Sequence, residues 1–156
     1  MSGKSLLYED FVRSEWVDYN GHMNDAAYAK VFSLALDDFI DYIALNEQAR
    51  SKHAYTIFTL ETHVCFLKEA HKNEKLLTEV QLLDSDEKRL HLFFTMKNGH
   101  GDELATSEQM LMGIDMKQGK PAPFPKPVEA CIETLRNRDM DRAIPKQAGR
   151  RIGIKR

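Results

Sequence analysis

The stretch AAYAKVFSLALDDFIDYI, residues 26–43, sets the strongest condition on how this chain can fold. Tyr28, Phe32, Ala35, Leu36, Phe39 and Ile43 recur at helical spacing, and Val31, Leu34 and Ile40 fill in other faces, so the first three turns read as apolar nearly all round. A helix of that kind has to be wrapped by other structure. Lys30, Asp37 and Asp38 interrupt it too early for a membrane span, so the wrapping must come from protein.

The chain downstream can supply it. Residues 55–67 alternate with a period of two, placing Phe58, Leu60, Val64 and Phe66 on one side and Tyr55, Ile57, Glu61, His63 and Cys65 on the other, which predicts one long strand. Leu76, Thr78, Val80 and Leu82 predict a second. The polar turn DSDEK then leads to a return strand through Leu90, Leu92, Phe94 and Met96, and NGHGDE leads to a last strand from Leu104 to Met116. Strands joined by tight polar turns pair antiparallel, so the pattern predicts an α+β meander of about five strands curved round one long central helix. GKPAPFPKP, residues 119–127, should run extended because its prolines cannot donate hydrogen bonds. Beyond it Val128, Cys131, Ile132 and Leu135 share one face of a short helix ending near Arg138. The expected organisation is a single domain over residues 1–140 and a basic, flexible tail over 141–156.

A near balance of charge, −2 formally, gives no reason to expect nucleic acid or an anionic membrane as partner. MSGKSLLYED lacks the apolar stretch of an export signal, so a cytoplasmic protein is expected. The two cysteines, Cys65 and Cys131, lie far apart without CxxC spacing, which suggests neither a zinc site nor a disulfide framework. No Walker loop, GxGxxG turn, HExxH helix or nucleophile-elbow serine occurs, removing the common nucleotide-hydrolysing, metalloprotease and serine-esterase chemistries.

What remains is DYNGHMNDAAY, residues 18–28, just ahead of the apolar helix. Turn and cap preferences alone account for many of its Asn, Asp and Gly residues. The same segment also suits chemistry: free N–H groups around Asn24 favour an oxygen that gains negative charge, and Gly21 lets a substrate approach the backbone. Asp18 can act there as nucleophile or as base for water. Glu61 shares its predicted strand face with His63 and Cys65, so that face is either solvated or lines a site. Cys65 is inert packing or a nucleophile served by His22 or His63. Lys88, Arg89 and His91, with Lys97 and His100 farther along, form a solvated hairpin edge or hold phosphates. Trp16 and Tyr19 are core or rim aromatics, or a face for a quaternary ammonium.

DYNGHMNDAAY resembles the motif of hotdog-fold thioesterases in which Asp, Gly and Tyr introduce the central helix, here Asp18, Gly21 and Tyr28. The order strand, long helix, four strands agrees over residues 8–116. The finer texture, EWVDYNGHMNDAAYAKVF, ETHVCFLKEA and DEKRLHLFFTMKN with ATSEQM, is similar to the small thioesterases of carnitine breakdown. That resemblance implies a hotdog fold, an acyl-CoA substrate with betainyl-CoA foremost, no cofactor or metal, and a homodimer or homotetramer. It implies Asp18 as catalytic carboxylate, helix N-terminal amides as oxyanion hole, and a second acid from another strand, for which Glu61 is the candidate. The motif also looks like that of acyl-carrier-protein thioesterases, which brings in Asn20, His22 and Cys65, although Asp25 stands where a second Asn is expected. Gly21, Asn24, Tyr28, Trp16, Tyr19, Lys88 and Arg89 are the candidate substrate-binding residues. The alternatives are a hotdog enoyl-CoA hydratase, whose motif places His and Pro differently from His22 and Gly21, and a non-catalytic acyl-CoA-binding module.

Overall fold

The computed structural model describes residues 6–156; residues 1–5, part of the stretch read for an export signal, lie outside the described residues. Its strands are β1 (Leu7–Phe11), β2 (Tyr55–Phe66), β3 (Lys75–Ser85), β4 (Arg89–Asn98), β5 (Glu103–Asp115) and a two-residue β6 (Lys120–Pro121). Its helices are α1 (Asp25–Tyr42), α2 (Glu47–His53) and α3 (Lys126–Asp139). All strand pairs are antiparallel, in the order β1-β3-β4-β5-β2, with β6 against the end of β5. The sheet curls about α1 as the hotdog resemblance implies.

The core forms where the concave sheet face meets the helix. Tyr28, Val31, Phe32, Ala35, Leu36 and Phe39 of α1 pack with Leu76, Val80, Leu92, Phe94, Met96 and Leu111, all buried. Burying one such side chain stabilises the fold by roughly 1.5–3 kcal/mol. The helix is not wrapped on every side, however: Ala26, Ala29, Lys30, Ser33, Asp37 and Asp41 form an exposed stripe. Val31, Leu34 and Ile40 broaden the apolar face without closing it, and the exposed Ala26 and Ala29 carry little apolar surface to hide.

Two features correct the sequence pattern. First, the sheet is not a simple meander, because β2 pairs with β5 at one edge while β1 flanks β3 at the other. The β2–β3 connection, residues 67–74, therefore has to cross the end of the sheet spanned by β5 and β4. Second, a β-bulge between Thr59 and Glu61 shifts the register of β2 against β5. Ile57 pairs opposite Gly113 and packs on the core, whereas beyond the bulge Val64 does so. One extra residue flips the alternation. Glu61, His63 and Cys65 thus lie on the outer face, apart from Ile57, and the mixed ionisable and apolar face read from strict alternation does not exist.

The short α2 has no counterpart in the sequence reading. The helix after the proline stretch is longer than expected, starting at Lys126 with Pro127 in its first turn. Its end is fastened to the free edge of β3 beyond β1: Asp139 accepts from the Leu82 N–H (2.8 Å) and Arg138 donates to the Val80 carbonyl (3.1 Å). Part of the tail expected to be loose also makes defined contacts, Gln81 donating to the Ala143 carbonyl (3.2 Å) and the Gly149 N–H to Glu108 (2.8 Å). Residues 151–156 are exposed. No helix of the described residues is long and apolar enough to cross a membrane.

Candidate active site

Residues 17–23 form a small hairpin closed by an antiparallel bridge between Val17 and Met23. The Asp18 N–H donates to the His22 carbonyl (2.9 Å) and the Gly21 N–H to the Asp18 carbonyl (3.0 Å). Gly21 sits at φ 76°, a left-handed conformation that explains glycine at this position. The Asp18 carboxylate organises the turn through one oxygen, Oδ1, which accepts from the backbone N–H groups of Asn20 (2.8 Å) and His22 (3.2 Å). Its other oxygen has no hydrogen-bond partner among the described residues and faces an exposed setting.

The hairpin feeds directly into α1. Asn24 caps the helix, its Oδ1 accepting from the Ala27 N–H (2.9 Å), and its Nδ2 donates to the Trp16 carbonyl (2.8 Å). The Ala26 N–H is turned to the Asp25 carboxylate (3.0 Å). The Asp25 N–H finds no acceptor among the described residues, which leaves one amide at the positive end of the helix dipole free for an incoming oxygen.

The crossover of residues 67–74 supplies the facing wall. Ala70 is tied down by its carbonyl accepting from the Met23 N–H (2.8 Å) and its N–H donating to the Tyr28 hydroxyl (3.0 Å), while the Lys72 N–H donates to the Gly21 carbonyl (3.0 Å). Burial, and the neighbouring Glu69 and Glu74, push the Tyr28 hydroxyl above its ordinary pKa, so it stays protonated. Tyr28, Phe66, Asp25 and Glu69 line an open concavity of about 330 Å³, with Met23 and Leu67 as its apolar walls. Beside it His22 Nδ1 lies 3.4 Å from Glu69, and the His22 and His71 rings meet edge to face at 4.9 Å. His22, Glu69 and His71 each bring one ligand atom within 4.8 Å of the others, a set with the donors for a divalent transition metal. Sequence spacing did not reveal it, because the crossover brings residues 22 and 69–71 together.

The remaining candidates are scattered. Trp16 is buried and its ring face is covered by the Arg13 guanidinium at 4.5 Å, while Tyr19 is 96 % exposed. The Asn20 side chain is exposed. Lys88 is half-buried at the β3–β4 turn, and Arg89 is bound to Asp86 at 2.6 Å. The Arg89 hydrogen bond holds the Asp86 carboxyl down at about 2. A phosphate reaching Arg89 would have to compete with that carboxylate. Lys97 pairs with Glu79 (3.4 Å). Glu61 lines a separate outer-face concavity with His63, His91, Glu108 and the tail residues Gly149 and Arg150; within it His91 Nε2 and Glu108 lie 2.6 Å apart. Within one chain, then, Glu61 and the Asp18 hairpin stand on different faces. Glu108 went unnoticed in the sequence because its partners are remote.

Comparison with known proteins bears on what this site does. Residues 12–132 match the model of the thioesterase-like superfamily. The chain is 40% identical to a betainyl-CoA thioesterase of Pseudomonas aeruginosa, over 99% of this chain and 98% of that one. It is 38% identical over 99% of its length to a bifunctional L-carnitine dehydrogenase/betainyl-CoA thioesterase of Rhizobium meliloti, of which it spans 31%. A hypothetical protein of Staphylococcus aureus, solved in complex with CoA, superposes with a TM-score of 0.93 at 32% identity, covering 99% of this chain and 98% of the other. With a helix-start hairpin, a curled sheet and a full-length match all in agreement, the chain belongs to the thioesterase-like superfamily.

Proposed function

We propose that the chain is a thioester hydrolase that cleaves betainyl-CoA to glycine betaine and CoA. The observation that carries this reading is the 40% identity to a betainyl-CoA thioesterase over nearly the whole of both chains. The geometry supports it. Asp18 has one carboxylate oxygen held by the turn and one free, and the Asp25 N–H is unpartnered at the start of α1. A thioester carbonyl oxygen accepting from that amide would be stabilised as it gains charge, while the free Asp18 oxygen attacks the carbonyl carbon or takes a proton from an attacking water. The tetrahedral species collapses by breaking the C–S bond. A thiol pKa of about 8.5 makes the thiolate a competent leaving group without a strong acid. If Asp18 attacks directly, water then opens the mixed anhydride at one of its two carbonyls; after a single turnover in oxygen-18 water, label in the enzyme carboxylate identifies direct attack with opening at the Asp18 carbonyl, a result that base-assisted attack by water does not give. Water is the only co-reactant, so the reading assigns no cofactor or metal to the chemistry.

The reading extends to assembly. β2 is a twelve-residue edge strand whose Phe58 and Leu60 are each more than half exposed. A long apolar edge invites pairing, and a second copy of the chain lying antiparallel along β2 satisfies both its backbone and its apolar surface. Glu61 enters the chemistry in this proposal only from such a second copy. Lys88 is the freer of the two hairpin cations for a CoA phosphate. Because CoA thioesters are intracellular metabolites, a cytoplasmic location follows from the same reading.

The test is thiol release from a panel of acyl-CoAs, betainyl-CoA alongside acetyl-, butyryl-, benzoyl- and longer straight-chain thioesters. Preferential release from betainyl-CoA is expected. Measurable CoA-ester binding without release from any of them would sink the proposal.

A further inference from the structure

A trimethylammonium acyl group needs a place where a cation without hydrogen-bond donors is held, and such groups are recognised by aromatic faces and carboxylates together. The two aromatics nearest Asp18 in sequence do not offer one: the Trp16 face is already occupied by the Arg13 guanidinium, and Tyr19 stands alone in solvent. The concavity beside the start of α1 does. Phe66 is 54 % exposed and its ring meets Tyr28 edge to face at 5.2 Å, presenting a supported aromatic surface. Asp25 and Glu69 add two carboxylates to the same wall. The cation that also lines it, Lys68, is drawn away to Asp102 at 2.8 Å. His22 Nδ1 reaches Glu69 at 3.4 Å, while the Asp25 carboxylate has no ion-pair partner among the described residues. The free Asp25 N–H belongs to a residue of this wall, so the amide assigned to the thioester carbonyl and the concavity share one residue.

We infer that this concavity is the cation subsite, with Phe66 and Glu69 the residues that select a quaternary ammonium acyl group over a neutral one of the same shape. The inference rests on the thioesterase reading of the Asp18 hairpin and adds the origin of its substrate choice. Phe66 is supplied by the last position of β2, where the alternation flipped at the bulge turns it to the concave side with Val64, and Glu69 by the crossover. Neither residue belongs to the helix-start motif.

The isosteric pair betainyl-CoA and 3,3-dimethylbutyryl-CoA tests it, since the two differ only in nitrogen against carbon at the trimethyl centre. The ratio of kcat/KM for the two is measured in the unaltered protein, in Phe66→Leu and in Glu69→Gln. The inductive effect of the ammonium on the carbonyl is common to all three proteins and cancels. The ratio is expected to fall about five- to tenfold in each variant, the scale of a partly desolvated cation–π or ion contact. Glu69 is largely exposed, so Glu69→Gln provides a readout even if Phe66→Leu is poorly folded. A ratio unchanged in Glu69→Gln and in folded Phe66→Leu overturns the inference while leaving the thioesterase reading intact. Should the unaltered protein hydrolyse neither ester, the betainyl-CoA reading fails instead, and binding of glycine betaine followed on the Phe66 ring by NMR decides the subsite. Ring shifts that Glu69→Gln weakens support it, and their absence overturns it.

Discussion

In the proposed mechanism one side chain, Asp18, serves structure and chemistry together. Its Oδ1 accepts two backbone N–H groups, as an Asp in any tight turn can, and that bond fixes where the second oxygen points. Tyr28 has a comparable double position: its hydroxyl takes the Ala70 N–H and so holds the crossover against the start of α1. Tyr28→Phe removes only that oxygen but leaves the Ala70 amide buried without a partner, which costs about 1–3 kcal/mol. We expect a lower urea midpoint with an unchanged slope, together with faster hydrogen exchange at residues 69–72; a midpoint equal to that of the unaltered protein would contradict the part given to Tyr28. Local chemistry made several of these residues legible in the sequence. Asn24 or Asp25 reads as the cap from its preferences, of which Asn24 is the one that caps, and Gly21 as a turn residue from its freedom at positive φ. The faces of Glu61, His63 and Cys65 were not legible, because a single inserted residue at the bulge reverses every later position and leaves no compositional mark. The approach of Glu69 and His71 to His22 was equally hidden, since it depends on where β3 pairs.

At the level of elements, the long helix and the long strands were readable from period alone, whereas the order of strands was not. Tight turns dictate the neighbours of β4, but nothing local says that β2 lies beyond β5, because that choice is made by burial of the whole concave face. α3 depends on one buried acid for its docking. Asp139, 3 % exposed, accepts from both Arg138 nitrogens at 2.6 and 2.7 Å, from Arg142 at 3.0 Å and from the Leu82 N–H. Burial pushes its carboxyl up, but the bonds from Arg138, Leu82 and Arg142 outweigh that and hold it below the usual carboxylate range. A folded-state pKa below the unfolded one means stabilisation that is fully present above about pH 4 and is lost as pH falls through the folded-state value. Asp139→Asn should therefore lower stability by about 2–4 kcal/mol at neutral pH, with the gap to the unaltered protein closing below pH 4. Urea titrations at pH 7, 5 and 3 check the sign; a gap that widens on acidification would show the wrong group had been blamed.

Taken whole, one chain offers a complete core but an unfinished edge. Phe58 and Leu60 stand exposed along the edge strand β2, and the outer-face acid Glu61 and the Asp18 hairpin lie on different faces of a single copy. If two copies pair along β2, a Lys at the bulge position should oppose the partner across that edge: Leu60→Lys is expected to shift the sedimenting mass from a multiple of 18.0 kDa to 18.0 kDa itself and to lower activity with it. Unchanged assembly in that variant would move the interface elsewhere.

If the free oxygen of Asp18 performs the hydrolysis at the start of α1, a steady-state comparison of the unaltered protein with Asp18→Asn on betainyl-CoA will show it. Asparagine keeps the Oδ1 bonds of the turn, so substrate binding should survive. The expected result is a fall in kcat of about a hundred- to ten-thousandfold with substrate affinity little changed. Turnover by Asp18→Asn within a few fold of the unaltered protein would contradict it and move the catalytic carboxylate elsewhere in the molecule.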